Sequence, residues 1–370
     1  PAEREPVAAE ARLVIARTVV PAFRRFRDFF TREYLPACQD RVGLQALPDG
    51  AATYEALVRH HTTTNLSPRA IHELGLREVE RITLAMNVVM HDTGKSTTLP
   101  QFFAFLRNDR RFYYNDPAEL LAGYAAIVKR VDPQIGKIIG TLPRTPYGIE
   151  AIPANVAPDT TTAYYRPPAE DGSRGGTFFV NLYKPESRPT WEMVALTLHE
   201  AVPGHHIQIA LANEQTRLPK FRRHTLYTAF VEGWGLYAES LGDELGMYDD
   251  PYAKFGQLAY EMWRAVRLVV DTGMHAMGWD RQRAIDFFRE HTPRQELDVV
   301  NEIDRYLVMP GQALAYKVGE LKIKELRRRA ERVLGARFDE RAFHDAVLGH
   351  GALPLDVLER EVDAWIASQG

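Results

Sequence analysis

The sequence predicts a mainly α-helical protein with a small β-sheet inserted near residues 160–185. Helix starts of the form cap residue then proline recur, at Ser67-Pro68, Asp116-Pro117 and Asp250-Pro251. One stretch, about 143–189, holds many of the prolines and glycines. Within it, Thr177 to Tyr183 is β-branched and aromatic, and Gly175-Gly176 and Lys184-Pro185 bound it.

Taken in order, a helix is expected from Pro68 to about Asp92, before Gly94. A second opens at Pro117 and ends near Gly140. Ala163-Tyr164-Tyr165 is a short strand candidate and Thr177–Tyr183 the main one. Pro189 to about Gln215 reads as one long, unusually apolar helix. Further helices are expected around Phe230–Glu239, from Pro251 to Gly278, after Pro310 to about Gly335, and after Pro354. The expected organisation is one domain over 1–370, with a helical subregion 1–140, a sheet region 141–188 and a helical region 189–370. No internal repeat interrupts it.

Composition narrows the partners. The 370 residues are 45% hydrophobic and 26% charged, with a net charge of -3. That balance gives nucleic acid no support as a partner. No run approaches the roughly 18 apolar residues of a membrane span. The single cysteine, Cys38, excludes an internal disulfide and has no neighbouring histidine, so a structural role is expected. One cysteine suits a reducing compartment and also allows export, so cytoplasm and periplasm both stay open. The oligomeric state is not set. The start, Pro-Ala-Glu-Arg-Glu-Pro, has neither a methionine nor an apolar signal region, as in a processed form or a fragment.

The chemistry concentrates at His199-Glu200-Ala201-Val202-Pro203-Gly204-His205-His206. Three of the 12 histidines fall within these eight residues, inside an apolar helix. Buried polar side chains need partners, and one metal ion can satisfy two imidazoles and a carboxylate. Zinc-protease helices place histidines at i and i+4 with a glutamate beside the first. Here i+4 is Pro203, and the next histidines stand at i+6 and i+7. On a straight helix neither would meet His199 closely. A bulge or a break at Pro203-Gly204 would bring one of them back. A third ligand is expected from Phe230–Glu239: Glu232 is the candidate, and Glu239, seven residues on and on the same face, would orient a histidine. Glu200 is then the expected general base, and one zinc ion the expected cofactor.

The run His-Glu-Ala-Val-Pro-Gly-His-His-Ile-Gln, followed by Glu-Gly-Trp-Gly-Leu-Tyr-Ala-Glu, resembles the bacterial DUF885 family. The resemblance extends to Asp171–Gly176, Val270–His275, Arg305-Tyr306 and Pro310–Ala313. It implies a large helical body like that of gluzincin metallopeptidases, related in outline to helical carboxypeptidases and dipeptidases. It favours His205 over His206 as the second ligand. Family members are commonly longer at the N-terminus, so the chain is expected to be the C-terminal part of a longer one.

Other candidates lie further along. Arg264, Arg267, Asp271 and His275 share one helix, and the last three form an i, i+4, i+8 stripe. His275 or an arginine of this set would contact substrate, for instance its carboxylate; the alternative is a solvated salt-bridged stripe. Arg305, Tyr306 and Tyr316 flank Pro310-Gly311, where a guanidinium or phenol could stabilise an oxyanion. His60, His61 and His344 have no supporting constellation.

The reading is zinc-dependent hydrolysis of short peptides, with Glu200, His275 and Tyr316 as catalytic candidates. The Thr177–Tyr183 strand is expected to pair with an extended substrate. A two-metal redox bundle needs two Glu-x-x-His pairs, which Glu200 and His205 do not supply. A non-catalytic helical peptide-binding protein with a degenerate cleft is the alternative.

Overall fold

The computed structural model describes residues 4–39 and 41–369. Two compact units make up the chain, Pro1–Val42 and Gly43–Gly370. The first is helical from Arg4 to Ala37 and is followed by the exposed Cys38. All further elements belong to the second unit.

The proline-led helices start where their caps lie. The Ser67 hydroxyl accepts from the Ala70 amide at 3.2 Å, opening Pro68–Asp92. Asp250 does the same for Tyr252 at 3.1 Å, opening Pro251–Ala276. That helix is buried almost all round from Phe255 to His275 and forms the centre of the body. The helix opened by Asp116 ends earlier than the sequence suggests, at Val131, and a 3-10 turn runs over Asp132–Lys137. Pro133 has no N–H to return to the carbonyl four residues back.

The sheet has three strands: β1 Tyr147–Ala151, β2 Ala163–Arg166 and β3 Gly176–Val180, in the order β1-β3-β2. β1 runs parallel and β2 antiparallel to β3. The run expected as a substrate-pairing strand is therefore central, and its two edges are already taken. It stops at Val180 because the Asn181 side chain takes over the local hydrogen bonding. Its amide donates to the Ala157, Thr160 and Thr161 carbonyls, and its oxygen accepts from the Tyr183 amide. β1 was not foreseen; Gly148 and Glu150 disfavour strand, and its burial is only partial.

Two further contacts fix the helices around the site. Thr228–Ser240 crosses Ala315–Leu334 at a pair of glycines, where a Cβ on Gly319 would sit 1.8 Å from the Ala229 carbonyl oxygen. Lys317, fully buried, joins three helices. Its ammonium lies 3.0 Å from Glu78, 2.8 Å from Glu261 and 2.9 Å from Glu320. Among the described residues, no helix is long and apolar enough to cross a membrane.

Arg81 and Lys324 also reach these carboxylates but are partly exposed, so removing the buried ammonium leaves the carboxylates under-paired. Lys317→Met is expected to cost about 3–5 kcal/mol in urea unfolding; a loss below about 1 kcal/mol would contradict the network's role. His344 gives a pH signature. It is buried between the Tyr237 hydroxyl (2.8 Å) and the Ile138 carbonyl (2.7 Å), and burial pushes its pKa from 6.5 down to about 3. The unfolded chain holds that proton more tightly. Stability is therefore full above about pH 6.5 and falls as pH drops towards about 3. His344→Gln should flatten that limb in denaturation curves measured across the window.

Candidate metal centre

The expected long helix breaks at Pro203-Gly204. One helix, Met193–Glu200, ends just after His199, and a second, His205–Glu214, begins at His205. Between them the chain turns through Ala201–Gly204, with a cis Val202–Pro203 bond. Gly204 is required there, since a Cβ would lie 1.9 Å from the His199 carbonyl oxygen. The Trp234 indole N–H holds the turn by donating to the Pro203 carbonyl at 2.8 Å.

The turn sets the His199 and His205 rings 4.7 Å apart and nearly perpendicular, at 84°. Glu232 on Thr228–Ser240 completes the group. Its Oε2 lies 3.5 Å from His199 Nε2 and 3.6 Å from His205 Nε2, and the three donor atoms lie within 4.8 Å of one another. Tetrahedral zinc ligands at 2.0–2.2 Å stand about 3.4 Å apart, a spacing that the two carboxylate–imidazole separations match, so the three residues could hold a metal ion. Gly235 lets His199 approach this helix: a Cβ there would meet the imidazole at 2.7 Å.

The surrounding groups polarise the imidazoles. Fully buried Glu239 places Oε1 2.8 Å from His199 Nδ1, and the Arg264 guanidinium lies 3.4 Å from the same oxygen. Burial alone would lower the His199 pKa, but hydrogen bonds to Glu232 and Glu239 outweigh it and raise the value to about 9. Burial likewise opposes ionisation of Glu232, yet both histidines draw it well below the usual carboxylate range. The Gln208 amide nitrogen lies 2.8 Å from His205 Nδ1 and donates to the Val231 carbonyl at 2.9 Å. A cation on His205 Nε2 would require the ring proton on Nδ1, and so a Gln208 amide rearranged to accept it and released from the Val231 carbonyl.

The triad opens into a cavity of about 430 Å³ that Glu200, Tyr316, Arg267 and Arg305 also line. Arg267 is buried. It donates to the Tyr306 hydroxyl at 2.7 Å and to Glu302 at 3.1 Å, and its guanidinium stacks 4.4 Å from the Tyr316 ring centre. Arg305 donates to the same Glu302 oxygen at 3.1 Å and to Gln312 at 3.0 Å. Glu302 thus joins Arg267, Arg305 and Tyr306. Burial opposes its charge, but the two guanidiniums draw its pKa down to about 2. The sequence reading missed Glu302; the signal was its i+3 and i+4 spacing to Arg305 and Tyr306.

Four candidates lie elsewhere, the first being Tyr306, which is fully buried outside the cavity with its hydroxyl held by Trp263, Arg267 and Glu302. His275 does not line this cavity, which corrects its catalytic assignment. Its Nδ1 accepts from the Leu44 amide at 3.1 Å and its Nε2 donates to the Tyr306 carbonyl at 3.0 Å, so both nitrogens are committed to backbone. Asp271 accepts from the Tyr54 hydroxyl at 2.5 Å and the Gly311 amide at 3.0 Å. The stripe of Arg267, Asp271 and His275 is therefore buried, neither solvated nor turned as a unit to the cavity. His206 points away from the triad: its Nδ1 accepts from Tyr165 at 2.8 Å, its ring lies 4.6 Å from that of Tyr147, and burial pushes its pKa down to about 4.

Residues 1–362 match the family model described as "Bacterial protein of unknown function (DUF885)". The chain belongs to the DUF885 family. Two solved structures resemble this DUF885 protein. A candidate lipoprotein from Colwellia psychrerythraea is 39% identical, with a TM-score of 0.92 over 96% of this chain and 61% of that one. A candidate lipoprotein of unknown function from Shewanella oneidensis is 17% identical, with a TM-score of 0.70 over 97% of this chain and 65% of that one, and shares the fold. The chain therefore spans less than two thirds of either relative. No curated protein matches it.

Carboxylates that orient metal-bound histidines are typically worth about 10- to 100-fold in metal affinity. Glu239→Gln is expected to weaken zinc binding by that factor in a competition titration against a chromophoric chelator. Unchanged affinity would mean that Glu239 serves only to neutralise Arg264.

Proposed function

We propose that this DUF885 protein is a zinc-dependent peptidase acting on short peptides. The observation that carries the reading is the convergence of His199 Nε2, His205 Nε2 and a Glu232 oxygen beside Glu200 in one cavity. A zinc ion on these donors would supply Lewis-acid polarisation of a water and of the scissile carbonyl.

The remaining work falls to side chains. Glu200, half-buried on the cavity wall, takes the proton of the attacking water and returns it to the leaving amine. With a metal ion bound, Glu239 would keep the single His199 proton on Nδ1 and leave the Nε2 lone pair facing the triad. Tyr316 and the guanidiniums of Arg267 and Arg305 line the same cavity, which supports a role for them in stabilising charge on a tetrahedral oxyanion. The cavity is the size of a small-ligand pocket and suits a short peptide better than a folded chain. The 39%-identical relative is called a candidate lipoprotein, which favours action outside the cytoplasm.

Glu200→Gln is the direct test. Zinc content by mass spectrometry should stay at one ion per chain, while cleavage of a mixed dipeptide and tripeptide library falls by about 10²- to 10⁴-fold. A zinc-loaded variant cleaving at the full rate would overturn the role of Glu200. Peptide binding without zinc or cleavage in the parent protein would favour a binding protein instead.

A further inference from the structure

A second pocket, of about 240 Å³, adjoins the metal cavity, and Thr162 lines both. Its positive side chains, Arg107, Lys184, Arg188 and Arg294, outnumber its acids, Glu192 and Asp298. Arg294 is the telling residue. Its side chain is 9% exposed, its terminal Nη2 has no hydrogen-bond partner, and the nearest acid, Glu192, is 3.7 Å away. Its guanidinium stacks 3.7 Å from the ring centre of Trp263, which lines the metal cavity. The neighbouring Trp191 indole N–H is also buried and unpartnered. Arg188 donates only its Nε, to the Tyr183 carbonyl at 3.0 Å.

Burying a guanidinium without an acceptor is costly, and a carboxylate is the group whose geometry matches it. Glu192 does not meet that need. It is buried, forms no hydrogen bond with Arg294 at this separation, and burial raises its pKa.

We infer that this pocket is an anion subsite in which Arg294, with Arg188, holds a carboxylate of a ligand whose other end lies in the metal cavity. The inference rests on the peptide reading above only in naming a peptide as the bearer of that carboxylate. Two sources share the chemistry: the C-terminal α-carboxylate and an Asp or Glu side chain. The shared lining at Thr162, and the stacking of Arg294 on Trp263 of the metal cavity, make the pocket a continuation of the metal site rather than a separate one.

The test uses zinc-loaded Glu200→Gln protein and calorimetry with three probes: acetyl-Ala-Ala-Ala as the free acid, the same peptide amidated, and acetyl-Ala-Ala-Glu amide. One or both carboxylate peptides should bind about 10- to 100-fold tighter than the neutral amide, as charge-assisted hydrogen bonds allow. The free acid winning identifies the terminus as the source, and the glutamyl amide winning identifies the side chain. Adding Arg294→Gln should abolish the advantage without weakening the neutral amide, and Arg294→Lys should restore part of it. If Arg294→Gln does not fold, Arg188→Gln carries the same expectation. Equal binding of all three probes, or an advantage that survives the arginine substitutions, overturns the inference. Binding is read without turnover and cleavage is assayed separately in the parent protein, so cleavage absent from the parent with discrimination intact defeats the peptidase reading alone. Cleavage present without discrimination defeats this one alone.

Discussion

The site depends on a four-residue turn that must be tight enough to bring two imidazoles from consecutive helices face to edge. Gly204 makes it sterically possible, because any side chain there would enter the His199 carbonyl. Trp234 ties the turn to the helix that carries Glu232. The same helix gives up a side chain at Gly235 so that His199 can lie against it. Gly233 and Gly319 in turn set how closely that helix sits on its neighbour. A chain of close backbone approaches thus runs from the interior to the metal-binding atoms, and each link is a position where a methyl group would not fit.

Electrostatics follow from that closeness. Burying charge in a low-dielectric interior is tolerable where each charge has a partner at hydrogen-bond distance. Glu239 serves His199 and Arg264 together, and Glu302 serves Arg267, Arg305 and Tyr306. The cavity lining otherwise balances, with Glu200, Glu232 and Glu302 against Arg264, Arg267 and Arg305. A divalent cation on the triad would tip that balance positive, which suits a site that handles developing negative charge.

Much of the helical frame was legible because caps and prolines are local signals. Ser67-Pro68 and Asp250-Pro251 mark helix starts on their own. A distortion at Pro203-Gly204, bulge or break, was legible for the same reason although the segment read as one long helix, and so was the shared face of Glu232 and Glu239. Periodicity, however, tells which residues share a face and not what covers it. Arg267, Asp271 and His275 form a stripe in the sequence, but only the fold shows that Tyr54, Leu44 and Gly311 cover it. The place of Thr177–Val180 in the sheet likewise depended on β1, whose Gly-Ile-Glu core carries no strong pattern. Glu302 and the pocket around Arg294 are built from segments distant in the chain, and no local spacing announces them.

The Lys317 cluster has a consequence on another timescale. Glu78, Glu261 and Glu320 come from three helices and meet one ammonium. Arg81 and Lys324 bring the cluster to three cations against three carboxylates, so no single replacement leaves the remaining charges matched. Inheritance through such a node should be all or nothing: lineages keep the whole set or exchange it wholesale for apolar residues, and halfway combinations are selected against. The interior thereby constrains which mutational routes are open to the protein, even at positions that never touch a ligand.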